Sequence, residues 1–413
     1  MKIKKELTRG LGAVSAFMLV AVNLGAPVAD SYEGRINTVL GINTTKIVSD
    51  DTKEEDTAYY KSDYGTDIYD TDKLQELEDD CADEAVLEQE EGSVLLKNDN
   101  NALPLSEGSS ITLFGQNSIE SAQKSESAGG FGAAAPVSGP FYSYHSTSGS
   151  TQELVTYLSA MQSAYHVNET MVKAYQNSGY TRLKDAQNPE IGEAPKELYT
   201  EDLKNSWKNE YNDAAVVMLT RQGSEDCDLV LEDSEGISQL ALHKDERDLL
   251  EMLKEEKANG TFKKIILLVN SNWAMELGEL DDYDVDACLW IGSPGAVGFT
   301  GVVNVLKGDV SPSGKLVDTY AKNSLSAPAV TYAQAKNTPQ WENLDEVLEF
   351  CSDTDKYVSN YLIYSEGIYV GYKYYETRYE DTVLGSGNAT GAAGSSTNAA
   401  WDYNNEIAYP FGY

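Results

Sequence analysis

Ile265-Ile-Leu-Leu-Val269 is an unbroken apolar run flanked by Lys264 and Asn270. A strand with one wet face alternates apolar and polar residues, and this one does not. It reads as a strand buried on both faces, the pattern of a parallel sheet covered by helices. The segments on either side agree. Upstream, Lys244 to Lys257 has Leu249, Leu250 and Leu253 on one side and reads as a helix, and before it Ala214-Ala-Val-Val-Met-Leu219 is a second apolar strand. Downstream, Asp286-Ala-Cys-Leu-Trp-Ile291 is a third, succeeded by a short helix over Phe299 to Leu306 that Gly308 closes. Gly308 to Gly314 is a turn-rich connector, and Lys315-Leu-Val-Asp-Thr319 reads as a last short strand. Nearer the N-terminus, Ser93 to Lys97 and Ile111-Thr-Leu-Phe114 are short strands, the first punctuated by Asn98-Asp-Asn-Asn101 and Pro104, the second ending at Gly115. Helical spacing recurs over Lys73 to Glu91, Glu153 to Tyr165 and Thr170 to Asn177. Strands alternating with helices predict an α/β fold: a doubly wound, mainly parallel sheet with helices on both faces, covering about 85–330.

The chain has 413 residues, enough for two or three domains. Its net charge of −36, from 67 acidic and 31 basic residues, excludes a nucleic-acid partner and disfavours docking on anionic lipid. Tyrosine outnumbers phenylalanine 27 to 8, which suits half-wet surfaces such as sugar sites. Lys2, Lys4, Lys5 and Arg9 precede an uncharged, mostly apolar stretch from Leu11 to Ala29 with small-residue cleavage patterns at its end. Residues 1–29 therefore read as a signal peptide or N-terminal anchor, and the protein as extracytoplasmic, secreted or held at the cell surface. Residues 30–84 read as an acidic spacer and lead-in helix. Beyond 330 the alternation decays, so 331–413 reads as an extended region, with Gly385 to Ala399 as a linker. The four cysteines and three histidines offer neither a disulfide framework nor zinc-site spacing.

The segment with most chemistry is Arg221-Gln-Gly-Ser-Glu225-Asp-Cys-Asp228, at the end of the Ala214 to Leu219 strand. Open α/β sheets place their chemistry on loops at that end of their strands. Neighbouring acids raise a carboxyl pKa and a nearby arginine lowers it, so Glu225 is a candidate general acid. Glu235 is the second acid of the region, on what reads as a solvated turn. Gly292-Ser-Pro-Gly-Ala-Val-Gly298 lacks the lysine of a phosphate loop and dinucleotide spacing, and reads as tight strand-to-helix packing.

Six ordered motifs extend this reading. They are Glu91-Gly-Ser-Val-Leu-Leu-Lys-Asn-Asp-Asn-Asn-Ala-Leu-Pro-Leu105, Asn270-Ser-Asn-Trp-Ala-Met-Glu-Leu277, Leu289-Trp-Ile-Gly-Ser-Pro-Gly295, Gly308-Asp-Val-Ser-Pro-Ser-Gly-Lys-Leu316, Tyr364-Ser-Glu-Gly-Ile-Tyr-Val-Gly-Tyr-Lys-Tyr-Tyr375 and Tyr409-Pro-Phe-Gly-Tyr413. Together they resemble the second, sandwich domain of the family 3 glycoside hydrolases. The resemblance implies a retaining β-glycosidase, β-glucosidase-like, with a glycoside or oligosaccharide substrate and no metal or organic cofactor. It puts Glu225 at the family's catalytic acid/base, in a segment usually written Arg-x-Ser-Gly-Glu. Here the small pair is reversed. Arg221 enters as a substrate-binding residue, and Phe131 in Gly129-Gly-Phe-Gly132 as an aromatic wall beside the leaving-group sugar. In the family the nucleophilic aspartate lies on a (β/α)8 barrel, which is not found in this chain. The resemblance is to the permuted order, sandwich first. It implies a downstream fibronectin-like domain and barrel as partners within one longer enzyme, leaving this segment alone inactive. The alternative is a secreted, non-catalytic carbohydrate-binding or surface domain derived from the family.

Overall fold

The computed structural model describes residues 14–20, 22, 37, 71–125, 135–142, 154–185, 188–223, 230, 236–331, 342–349, 366–384 and 401–413. The chain divides into two units, Met1–Ile68 and Tyr69–Tyr413. In the first, residues 14–20 are helical. Among the described residues, no helix is long and apolar enough to cross a membrane.

The second unit is built on six strands: β1 (Val94–Asn98), β2 (Ser110–Phe114), β3 (His166–Val167), β4 (Ala214–Arg221), β5 (Ile265–Ser271) and β6 (Ala287–Trp290). They form one sheet in the order β1-β6-β5-β4-β2-β3. All neighbours run parallel except β1, which is antiparallel to β6. The expected doubly wound, mainly parallel α/β sheet is therefore present. Every residue of β4 and β5 is buried, and that is why their sequences do not alternate. The two strands share the longest register of the sheet, from Ala215 opposite Ile265 to Arg221 opposite Ser271.

Among the described residues of this unit, the longer helices are α1 (Thr71–Gly92), α2 (Tyr157–Ala164), α3 (Glu169–Gln176), α4 (Glu201–Lys208), α5 (Lys244–Ala258), α6 (Phe299–Lys307) and α7 (Tyr372–Leu384). α1 and α2 pack on α6, and α3 on α4, in two separate groups. Each group seals the sheet with an aromatic cluster. Phe299 meets Tyr142 and Tyr157 in one, while Phe114 meets Tyr199, Trp207 and Phe262 in the other. Caps set the helix starts. Thr156, Asn168 and Thr200 each accept a backbone N–H from the first turn of the helix they precede. The lead-in helix α1 is tied to the sheet domain at its C-terminal end, through Asn304 to Glu90 and Gln89 to the Ile291 carbonyl.

Two stretches differ from the sequence reading. Lys315 to Thr319 is not a strand. Val317 points into solvent, the Leu316 backbone bonds to Gly412 and Tyr413, and the Thr319 N–H turns to the Asp318 side chain, so pairing begins at Tyr320. There β7 (Tyr320–Ala321) runs antiparallel to β8 (Ile407–Tyr409). The residues 401–413, expected to be extended, thus close back on the domain. The expected linker from Gly385 to Ala399 lies outside the described residues.

Candidate active site

From β2 the chain moves outward to the edge strand β3, then crosses back to β4 on the other side of β2. The carboxyl ends of β2 and β4 thus flank a topological switch point, where loops leave in opposite directions and a crevice opens. In the sequence Phe131 follows β2 and Glu225 follows β4. Both residues, together with Glu235 and Cys227, lie outside the described residues. What the structure gives is the frame that carries them.

The β2 side begins at Gly115, whose φ is +92°. A Cβ there would lie 2.4 Å from the Met218 carbonyl oxygen on β4, so only glycine lets the chain leave against its neighbour. The Gly115 N–H donates to the Tyr175 hydroxyl, which is 2.8 Å from that of Tyr199. Next to it, Gln116 donates through its side chain to the Tyr175 carbonyl and through its backbone to both oxygens of Glu193 at 3.0 Å. Glu193 also accepts from the Ala194 N–H. Among the described residues no lysine or arginine pairs with it. Burial pushes its carboxyl up to about 8, further helped by the negative charges of Glu246 and Asp245 and opposed by the two backbone N–H groups.

The β4 side ends at Arg221, which is 1% exposed. Its Nε donates to the Gln239 carbonyl, Nη1 to the Thr220 carbonyl and Glu246 Oε1, and Nη2 to the Ala241 carbonyl and Glu246 Oε2. Those bonds use all five guanidinium N–H groups. The place expected for Arg221 was against substrate. Its side chain instead points into the fold and has no donor left to offer a ligand. Glu246, in the first turn of α5, completes the arrangement by accepting the His243 N–H at 2.9 Å.

Three more side chains shape the rim. Asn270, fully buried near the end of β5, exchanges two hydrogen bonds with the Phe141 backbone and donates to the Gly292 carbonyl. It thereby joins the loops that leave β2 and β6. Arg182, buried and held down to about 10 by that burial, donates to the Gln222 side chain just beyond β4. Gly223 lies flat on Trp273, where a Cβ would sit 2.5 Å from the indole Nε1. The Gly292 to Gly298 turn is the tight strand-to-helix passage expected: Gly298 donates to the Pro294 carbonyl and leaves no room for a side chain.

Sequence reasoning picked out Arg221 but not Glu246, Glu193, Asn270 or Arg182. For Glu246 a signal exists, an acid at the third position of a helix, which reaches back to the N-terminal backbone. For Glu193 there is none, since nothing in Ile191-Gly-Glu-Ala-Pro195 separates a buried acid from a solvated one.

The profile of the Glycosyl hydrolase family 3 C-terminal domain matches residues 93–372. A β-glucosidase of Ruminococcus albus is 26% identical over 295 residues, 71% of this chain and 26% of the relative. β-Glucosidase A of Butyrivibrio fibrisolvens is 27% identical over 305 residues, 70% of this chain and 31% of the relative. The chain therefore spans about a third or less of these relatives' length. Among solved structures, β-glucosidase 3B from Thermotoga neapolitana in complex with α-D-glucose superposes with a TM-score of 0.52 at 24% identity, over 81% of this chain and 38% of that one. That likeness concerns the fold.

Proposed function

The chain belongs to glycoside hydrolase family 3 through its C-terminal-type domain, and on that premise we propose that it is the acid/base-bearing part of a retaining β-glycosidase acting on β-glucosides. What supports this reading is that β4 ends at Arg221 beside β2, at the switch point, with Gln222-Gly-Ser-Glu225 following it in the sequence. Glu225 is the general acid/base. It protonates the glycosidic oxygen as the bond to the anomeric carbon breaks, and as a carboxylate it then takes a proton from the water that releases the sugar. Phe131, on the loop after β2, lines the leaving-group side, where an aromatic face stacks on a sugar ring. Arg221 serves the substrate indirectly, by shaping the loop. The nucleophile belongs to a barrel elsewhere in a longer protein, in the permuted order. Residues 1–29, as a signal peptide or N-terminal anchor, direct that protein out of the cytoplasm.

The test uses the complete enzyme with Glu225→Gln. Aryl glucosides with poor leaving groups need protonation and should slow by at least ~100-fold, while activated ones should lose far less. Added azide, which attacks without general-base help, should restore turnover on the activated substrates. Equal loss on both substrate classes, with no azide effect, would remove Glu225 from the role. Sugar binding without any hydrolysis by the native protein would favour a carbohydrate-binding domain instead.

A further inference from the structure

We propose that Glu246 is a positioning residue for the segment that carries Glu225, acting through Arg221. The inference rests on the reading of Glu225 given above. Its geometry is local and complete. Arg221 is the last residue of β4, so its Nη1 bond to the Thr220 carbonyl fixes the departing arm of the 222–242 segment. Its Nε and Nη2 bonds to the carbonyls of Gln239 and Ala241 fix the returning arm. Glu246 grips the same guanidinium through two 2.7 Å bonds and takes the His243 N–H, which ties both arms to the first turn of α5. One ion pair thus closes the base of the segment.

A path also leads from that base into the segment itself. Gln239, held by Arg221, is bridged twice to Val230: its N–H donates to the Val230 carbonyl, and its side-chain oxygen accepts the Val230 N–H at 3.0 Å. Val230 lies close behind Glu225 in the chain. Stability alone does not call for such a cluster, because well-packed apolar residues can replace a buried ion pair at little or no cost. What an apolar pair cannot do is direct three backbone carbonyls and one N–H from separate stretches of chain. The carboxylate at 246 matters for direction rather than for filling space.

The experiment compares Glu246→Gln, Gln239→Ala and Glu225→Gln in the complete enzyme. Gln239→Ala leaves the ion pair intact and removes only the side-chain link to Val230, so it covers the case in which Glu246→Gln fails to fold. Two readouts are needed. In hydrogen exchange, both positioning variants should speed amide exchange within 222–242 by about tenfold or more, while 372–384 stays unchanged. In steady-state kinetics, kcat/KM on poor leaving groups should fall about 10- to 100-fold, because that ratio reports the first step, in which a displaced acid fails at proton donation. Activated substrates should lose less than about threefold in kcat/KM. Unchanged exchange in both variants overturns the inference, whatever Glu225 does. Leaving-group selectivity in Glu225→Gln, without any in the other two, also overturns it. If Glu225→Gln itself is unselective while exchange still rises, the assignment of the acid fails instead, and the positioning role goes with it.

Discussion

Arg221 and Arg378 are both buried in this domain, in different surroundings. Arg221, at the carboxyl end of β4, gives all five of its donors to a carboxylate and three carbonyls. Arg378, on α7, lies with its guanidinium carbon 4.9 Å from the Trp401 ring centre and 5.5 Å from that of Tyr374, and donates to the Tyr374 hydroxyl at 2.6 Å. It belongs to a second, small cluster of Ala321, Ala327, Tyr374, Tyr375, Trp401 and Ile407, separate from the large core around the sheet. Ring faces attract a cation without fixing its direction, whereas a fork of hydrogen bonds fixes it tightly. Arg221 is thus held in one direction by its five bonds, and Arg378 is covered by two ring faces.

Substitutions can break that contrast. The largest effect should come from Arg221→Met, which strands Glu246 as a buried, unpaired acid. It should cost about 3–5 kcal/mol in urea unfolding, and Arg221→Lys should recover little of it. A loss under about 1 kcal/mol would show that the guanidinium is not the anchor the geometry makes it. Gly115→Ala comes next, at about 1–3 kcal/mol for the left-handed backbone, with the clash on the Met218 carbonyl in addition. The same change at Gly367, also at positive φ but with open space around it, should cost less.

Glu193 sharpens the comparison through pH. Its folded carboxyl titrates at about 8, above the ordinary 4.5 of the unfolded chain, so the folded state keeps a proton that the unfolded chain releases. Stability from this group is fully present below the unfolded value. It is lost as pH rises toward 8, with a slope of at most about 1.4 kcal/mol per pH unit. Glu193→Gln should flatten that slope in unfolding curves taken between pH 5 and 8. A variant with the parent's slope would assign the pH dependence to other groups. The smallest effect belongs to the aromatic cluster. Arg378→Lys keeps a cation over the rings and should cost less than Arg378→Met, which should lose about 0.5–2 kcal/mol. Hydrogen exchange should then rise in α7 and leave β4 protected.

The strands at the centre of the sheet could be read from sequence because burial on both faces writes itself as unbroken apolar runs. The reading of Ala214 to Leu219 stopped short of Thr220 and Arg221 because their burial is achieved by hydrogen bonds, which periodicity does not register. The two-residue edge strand β3 contains an exposed His166 and carries no pattern at all. Helix α4 left a usable sign, Thr200 as cap with Leu203 and Trp207 four apart, in a stretch otherwise polar. At the site, residue types were legible and directions were not. Arg221 stood out as a charged group beside an acid, yet whether it faced ligand or interior depended on Glu246, distant in sequence.

The antiparallel pairing of β1 with β6 has a consequence for how the protein is made. β1 emerges early, and its partner lies near the end of the sheet's sequence. With synthesis at about 5–20 residues per second, β1 waits on the order of ten seconds or more for β6. During that interval the apolar faces of β4 and β5 have helices on offer but an incomplete sheet. The nascent chain is most exposed to aggregation in this window, and a chaperone that holds apolar strands would help most there. Slowing the ribosome between β5 and β6 should lengthen the window and lower the soluble yield.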